Sequence, residues 1–391
     1  MILEESRRAA SRGSPFRFPP GKLLLSPWKL SLSTGEGYGR KIKHQDNIAA
    51  LTMTRSSVRL KDIADKTGFS VNTVSLALRG SPRIPEETRQ LIRNIAEALN
   101  YLPNHIAKSL VSRETKTIGL ILTDITNPTL MRTAQAIELA LADRGYGTLF
   151  ATSNNDPEEE IRALEMFRSR QVDGMLIYPR SHRKLDHIRK IRQSNYPIVL
   201  LVGDPDSGID AVCVDERRGA YKATRHLIDT GHRRIGIIDS ANPLGNLEKS
   251  EGYLQALSEA GIVFEPVLTA DPQGHSVMKG YWAMDQLMSA ANRPTGVFAA
   301  NDSLAIGALR WCQKNGVNVP RDVAIIGFDN IEFAEHAATP ISSVNYAVDI
   351  VTELAVERLM RLVAAKDALP DPRVTMIEPD LVIRESTTGR S

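Results

Sequence analysis

The sequence predicts an all-α helix-turn-helix headpiece followed by a two-lobed α/β body built on parallel, doubly wound sheets. Three observations predict it. Residues 58–113 carry dense helical patterning broken by a glycine turn. From Thr117 onward, uniformly apolar stretches of strand length alternate with helical ones, the mark of parallel sheets covered on both faces. Charge is also divided unevenly. The 391 residues carry 49 Lys/Arg and 46 Asp/Glu, yet residues 1–113 hold 19 basic and 9 acidic side chains, which leaves the remainder acidic. A basic head on an acidic body points to a nucleic-acid module joined to something else.

Composition excludes several classes. Hydrophobic residues make up 42% of the chain, too many for wholly disordered protein. No stretch approaches the roughly 20 apolar residues of a membrane span. Two cysteines rule out a disulfide scaffold, and Cys213 and Cys312 read as buried packing thiols of a reducing, cytoplasmic compartment.

Residues 1–56 lack periodicity and are rich in Ser, Arg, Gly and Pro. They read as a disordered arm or, preferably, as a start placed too early, with Met53 as initiator, because compact patterning begins at Val58. The run Gly35-Glu36-Gly37-Tyr38-Gly39 has spaced glycines, but neither the preceding strand nor the following Lys-Ser/Thr of a phosphate loop.

In the headpiece, assigned to 57–102, residues 60–66 form a short helix with Leu60, Ile63 and Ala64 on one face. Gly68 supplies the turn and Ser70 caps a second helix over 71–78, stopped by Gly80 and Pro82. A third runs over 85–99, with Leu91, Ile92, Ile95 and Leu99 at core spacing. Any small three-helix bundle shares this periodicity; the outward residues favour DNA recognition. With Val74, Ala77 and Leu78 turned inward, Val71, Asn72, Ser75, Leu76 and Arg79 face away. Asn72 can pair bidentately with adenine, Val71 and Leu76 can press on thymine methyls, and Ser70, Thr73 and Ser75 can contact the DNA, Ser70 and Ser75 at its phosphates.

The run from Leu60 to Gly80, continued by Leu99-Asn100-Tyr101-Leu102-Pro103-Asn104 and Ile106-Ala107-Lys108-Ser109-Leu110, resembles the headpiece and hinge helix of the lactose/galactose repressor (LacI/GalR) family. The resemblance implies that Val71, Asn72 and Leu76 read bases. Many members carry Arg at the last position, so Leu76 implies methyl contact or water exclusion instead. It also implies a hinge and linker over 103–114 that order on DNA. There Leu110 wedges the minor groove, Ala107 permits close approach, and Asn104, His105 and Lys108 contact the duplex.

In the body, 115–391, strands are expected at 117–122, 148–151, 174–178, 198–202, 235–238, 296–299 and 323–328. Helices are expected at 129–144, 158–170, 216–229, 250–260, 276–290 and 303–315. Some 270 residues exceed one sheet of this kind, so two lobes are expected, with a ligand at the carboxyl ends of the strands between them. Their expected extents are about 115–214 plus 345–372, and 215–344 plus 373–391.

Catalytic motifs are missing: the sequence contains no HExxH, GxSxG, CxxC or Walker loop, and no catalytic residue, metal site or cofactor is assigned. Neither His182/His187 nor His226/His232 has ligand company at metal spacing. Polar residues at strand ends are more telling. Asp124 and Asn127, Asn301 and Asp302, and Asp329 and Asn330 converge on chemistry suited to the hydroxyls of a sugar, sugar derivative or nucleoside. Each has a structural alternative, with Asp302 and Asn127 as helix caps.

The body also resembles that family's effector domain, itself similar to periplasmic sugar-binding proteins. The matching runs are Asp124-Ile-Thr-Asn-Pro128, Gly231-His-Arg-Arg-Ile-Gly236, Glu251-Gly252-Tyr253, Ala300-Asn-Asp302 and Asp322-Val-Ala-Ile-Ile-Gly-Phe-Asp329. The resemblance implies an effector site lined by Asn127, Thr129 and Leu130 from one lobe and Asn301, Phe328 and Asp329 from the other. Lys249 stands where many members grip the effector with Arg, His275 where sugar binders often stack an aromatic, and Val202 where some place Asp. The whole implies a homodimeric transcriptional repressor on a pseudo-palindromic double-stranded operator, controlled by a small-molecule effector, with no membrane role. A solute-binding protein without a DNA role is the alternative, and an enzyme with a DNA domain would need a reactive constellation.

Overall fold

The computed structural model describes residues 58–102, 114–239, 247–365 and 368–388. It falls into two compact units, one ending at Leu102 and one beginning at Pro103. The Met53, Gly35–Gly39 and hinge assignments lie outside the described residues.

The first unit comprises α1 (Leu60–Thr67), α2 (Val71–Leu78) and α3 (Glu86–Ala98) around a small core of Ile63, Ala64, Val74, Ala77, Ile92 and Ala96. Gly68 takes φ +73° at the α1 C-terminus, a left-handed conformation open to glycine at little cost. Arg89 on α3 reaches back to the carbonyls of Gly80 (3.1 Å) and Ser81 (3.3 Å), fixing the loop after α2. One core expectation fails. Leu91 is 47% exposed, because Ile92 and Ala96 supply the buried stripe of α3 and Leu91 falls beside it.

The second unit opens with β1 (Thr117–Leu122), α4 (Pro128–Ala142), β2 (Gly147–Thr152), α5 (Pro157–Ser169), β3 (Gly174–Ile177), α6 (Asp186–Gln193), β4 (Ile198–Leu200) and β5 (Ala211–Val214). It continues through α7 (Glu216–Asp229), β6 (Ile235–Ile238), α8 (Glu248–Glu259), β7 (Thr269–Ala270), α9 (Val277–Met288), β8 (Gly296–Ala299), α10 (Asp302–Lys314), β9 (Ala324–Asp329), α11 (Glu332–Glu335) and β10 (Ser342–Asn345). It closes with α12 (Val348–Ala364), β11 (Val374–Ile377) and β12 (Leu381–Val382).

Two six-stranded sheets result, ordered β11-β5-β4-β3-β1-β2 and β12-β10-β9-β8-β6-β7. Among the described residues all pairings are parallel except that of β12 with β10. The lobe boundary expected at 373 moves. β11 pairs with β5 through Val374–Ala211 and its successors, so the chain completes the first sheet before returning to the second at β12.

Helices cross closely where glycine permits. A Cβ on Gly252 would lie 2.1 Å from the Arg217 carbonyl oxygen of α7, and one on Gly307 would lie 2.0 Å from that of Val277 on α9. The first lobe is tied by a buried ion cluster. Asp210 accepts from Arg192 Nε at 2.9 Å, from Arg358 Nε at 2.6 Å and from the Arg373 amide at 3.1 Å. Cys213 and Cys312 are buried free thiols, and burial pushes both up to about 12. No helix among the described residues is long and apolar enough to cross a membrane.

Candidate functional site

In the headpiece, Ser70 caps α2. Its Oγ accepts from the Thr73 amide at 3.1 Å and lies 2.9 Å from Thr73 Oγ1. The two hydroxyls are thus engaged with each other, at the end of the helix that also presents Val71 (44% exposed) and an exposed Asn72. Val74 and Ala77 are buried, whereas Ser75 and Leu76 are half-buried beside them. Arg79 turns back, its Nε donating to the Ser75 carbonyl at 3.1 Å. Asn104, His105, Ala107, Lys108 and Leu110 lie outside the described residues.

In the body, a cavity of about 530 Å³ opens at the carboxyl ends of both sheets. Parallel sheets put strand-end loops at one edge, so a residue just after each strand faces the same space. Thr123 and Asp124 follow β1, Tyr178 and Arg180 follow β3, Asp239 follows β6, and Asn301 follows β8. Asp329 ends β9. Glu216 and Tyr346 stand where the chain crosses between sheets.

Seven of the eight expected effector residues line this cavity: Asn127, Thr129, Leu130, Lys249, His275, Asn301 and Asp329. Phe328 does not. It alternates to the core side of β9, is fully buried against Val344 and the α7 face, and carries the Lys249 ammonium 4.4 Å above its ring. Val202 is buried outside the cavity. Two of the amides are partly spent on helix capping. Asn127 Oδ1 accepts from the Thr129 amide at 2.9 Å, and Asn301 Oδ1 from the Leu304 amide at 2.8 Å, which leaves their NH₂ groups for a ligand. Asp302 is neither cap nor lining. It is buried, and accepts from the Ile331 amide at 2.8 Å and the Ser343 hydroxyl at 2.7 Å.

Charge in the cavity is organised around Lys249. Its Nζ donates to Glu216 Oε1 at 3.1 Å. Burial pulls the Lys249 ammonium toward neutrality, but Glu216, Asp329 and Asp239 outweigh it and hold its pKa above the ordinary value. Burial lifts the Asp329 carboxyl to about 7, even though Lys249 and the Thr129 hydroxyl favour its ionised form. Asp329 holds φ at +106°, an uncommon conformation for a residue with a Cβ. Burial also pushes the Tyr178 and Tyr346 phenols well up, so both stand as neutral donors.

Sequence reading missed Tyr178, Arg180, Glu216, Asp239 and Tyr346. The one signal available was position. Tyr178 ends a predicted strand and Asp239 directly follows one, much as Asp124 lies just past another, and the same rule applied to every strand would have found them. His182 has no ligand company along the sequence, but in space Glu216 and Glu248 stand beside it.

Residues 59–104 match the family described as bacterial regulatory proteins, lacI family, and residues 224–387 match a periplasmic binding protein-like domain. The chain is similar to the ribose operon repressor of Haemophilus influenzae, 33% identical over 336 residues, spanning 84% of this chain and 98% of that protein. It is similar also to the HTH-type transcriptional repressor PurR of Mannheimia succiniciproducens, 32% identical over 84% of this chain and 98% of that protein. Among solved structures, a complex of the transcriptional regulator CelR with cellobiose matches with a TM-score of 0.62 and 28% identity, over 84% of this chain and 99% of that one. The lac repressor dimer bound to operator and the anti-inducer ONPF matches with a TM-score of 0.75 at 22% identity, over 85% of this chain and 99% of that one, a likeness of fold.

Proposed function

The chain belongs to the lacI family of bacterial regulatory proteins, and from that premise we propose that it is a cytoplasmic homodimeric repressor whose grip on a pseudo-palindromic operator is set by a small, neutral, hydroxyl-rich effector. The observation that carries the effector class is the make-up of the cavity. Asp124, Glu216, Asp239, Asp271 and Asp329 face two cations, Lys249 and Arg180, and Lys249 is already committed to Glu216. Such an acceptor-rich space suits the donors of a sugar or nucleoside and opposes a carboxylate or phosphate.

Asn127, Thr129 and Leu130 would hold the ligand from one lobe, and Asn301, Asp329 and Lys249 from the other, with His275 at the mouth. Ser70, Val71, Asn72, Thr73, Ser75 and Leu76 would meet the operator, and Asn104, His105, Ala107, Lys108 and Leu110 would form the hinge. Exposed Met131 and Leu139 on α4, beside Ile350 on α12, and Met278 and Trp282 on α9 offer apolar surface for a second copy. The alternative of a solute-binding protein without a DNA role falls to the family match over 59–104.

Selection from a random duplex pool with the full chain tests the DNA reading. Enrichment of an inverted repeat is the expected result, and recovery of no motif sinks it. A thermal-shift screen of the full chain tests the effector class. Neutral sugars or nucleosides should raise the melting temperature, whereas stabilisation by sugar acids or sugar phosphates alone would reverse it.

A further inference from the structure

We propose that His182, Glu216 and Glu248 bind a divalent transition-metal ion of the zinc class in a second cavity, beside the effector cavity. One donor atom from each of the three lies within 4.8 Å of the others, close enough for an ion to draw them in by small side-chain rotations. Imidazole nitrogen with carboxylate oxygen is a donor set for zinc, nickel, manganese or iron, and a poor one for calcium or magnesium.

The second observation is what these atoms lack. His182 is 2% exposed and Glu216 4%. His182 Nε2, Glu216 Oε2 and Glu248 Oε2 are all buried without a hydrogen-bond partner. His182 Nδ1 and Glu248 Oε2 lie 3.3 Å apart, a contact that a bound ion would replace. Buried polar atoms left without partners are costly, and each of the three clustered side chains carries one that a bound ion could help to satisfy. Two carboxylates would balance its charge, and the nearby Lys249 ammonium is held by the other oxygen of Glu216.

The three ligands come from different parts of the chain. His182 lies between β3 and α6 in the first lobe, while Glu216 and Glu248 are the first residues of α7 and α8 in the second. An ion there would tie one lobe to the other through a cavity of about 500 Å³, which Cys213 also lines. Glu216 borders both cavities, so the ion would act on the effector site through a shared carboxylate.

The test is equilibrium dialysis of the chelator-stripped full chain against zinc chloride, with bound metal counted by mass spectrometry. One zinc per chain is expected, weakened about tenfold or more by His182→Ala or Glu248→Gln and unchanged by His187→Ala. No saturable binding, or full binding retained by both site variants, overturns the proposal. Cobalt(II) in the unaltered chain needs no variant to fold. Weak visible bands of nitrogen and oxygen ligation support the site, and an intense near-ultraviolet thiolate band would transfer the ion to Cys213 and refute it. Neither readout involves DNA or effector, so its failure is separable from that of the regulator reading.

Discussion

Replacing Asp329 by Asn should stabilise the protein in a manner that depends on pH. The carboxyl sits at about 7, against an ordinary 3.8, chiefly because burial opposes its charge. A group raised by folding lends stability below its unfolded pKa and loses it as pH climbs through the folded one. Native protein therefore loses stability from this group between about pH 4 and pH 7, and little more above that. At 1.36 kcal/mol per unit, a rise of about three units is worth ~4 kcal/mol, a ceiling that solvent at the cavity mouth lowers to roughly 2–4 kcal/mol. Asn is nearly isosteric and bears no charge, so it removes the pH-dependent part. Any relief of the positive φ would add an increment equal at all pH values.

Urea unfolding of native and Asp329→Asn chains at pH 5 and pH 8 separates the two. The variant's advantage should be larger at pH 8. Stability curves that stay parallel across that range would refute the burial argument, whatever their offset. The same variant should lose effector-induced stabilisation, as expected where a strained, desolvated group is kept for binding.

Asn72→Ala should cost roughly 1–3 kcal/mol of discrimination at one base pair per half-site, read by competition among operator variants, and equal weakening on all sequences would remove its base-reading role. Gly252→Ala forces a methyl toward the Arg217 carbonyl and should destabilise by roughly 1–3 kcal/mol in denaturant titration, since α7 and α8 must separate. Asp210→Ala strands Arg192 and Arg358 and should cost roughly 3–5 kcal/mol, visible as a lowered melting temperature; a change within error would mean that water replaces the carboxylate.

The alternation of apolar strands with helices was legible because burial on both faces leaves few other residue choices, and α7 emerged over its full span of 216–229. Short pieces were not. The polar run Ser342-Ser343 in β10 and the isolated Val374–Ile377 of β11 carry no period of their own, and pairing with β9 and β5 makes them strands. β11 moved the lobe boundary for that reason. Strand ends announced Asp124, Asn301 and Asp329 but were not followed to Tyr178 and Asp239, whereas Phe328 was misplaced because one residue of register exchanges cavity for core. Glu216 was invisible: a first-turn helix acid is usually a solvated one, and only the crossover between sheets buries it.

That crossover gives the cavity its logic. Glu216 begins the helix that follows the last central strand of the first sheet, and its carboxylate fixes Lys249 of the second lobe against the Phe328 ring. Lys249 is thus a counter-ion of the protein itself, and an anionic ligand would have to compete with Glu216 for it. A hydroxyl-bearing ligand has no such rival. The buried Thr129 hydroxyl of the first lobe bears on the Asp329 carboxyl of the second, which titrates near neutrality. A ligand hydroxyl bonded to both would favour whichever lobe arrangement brings them together, and that differential affinity is all an effector needs to shift the population that binds DNA.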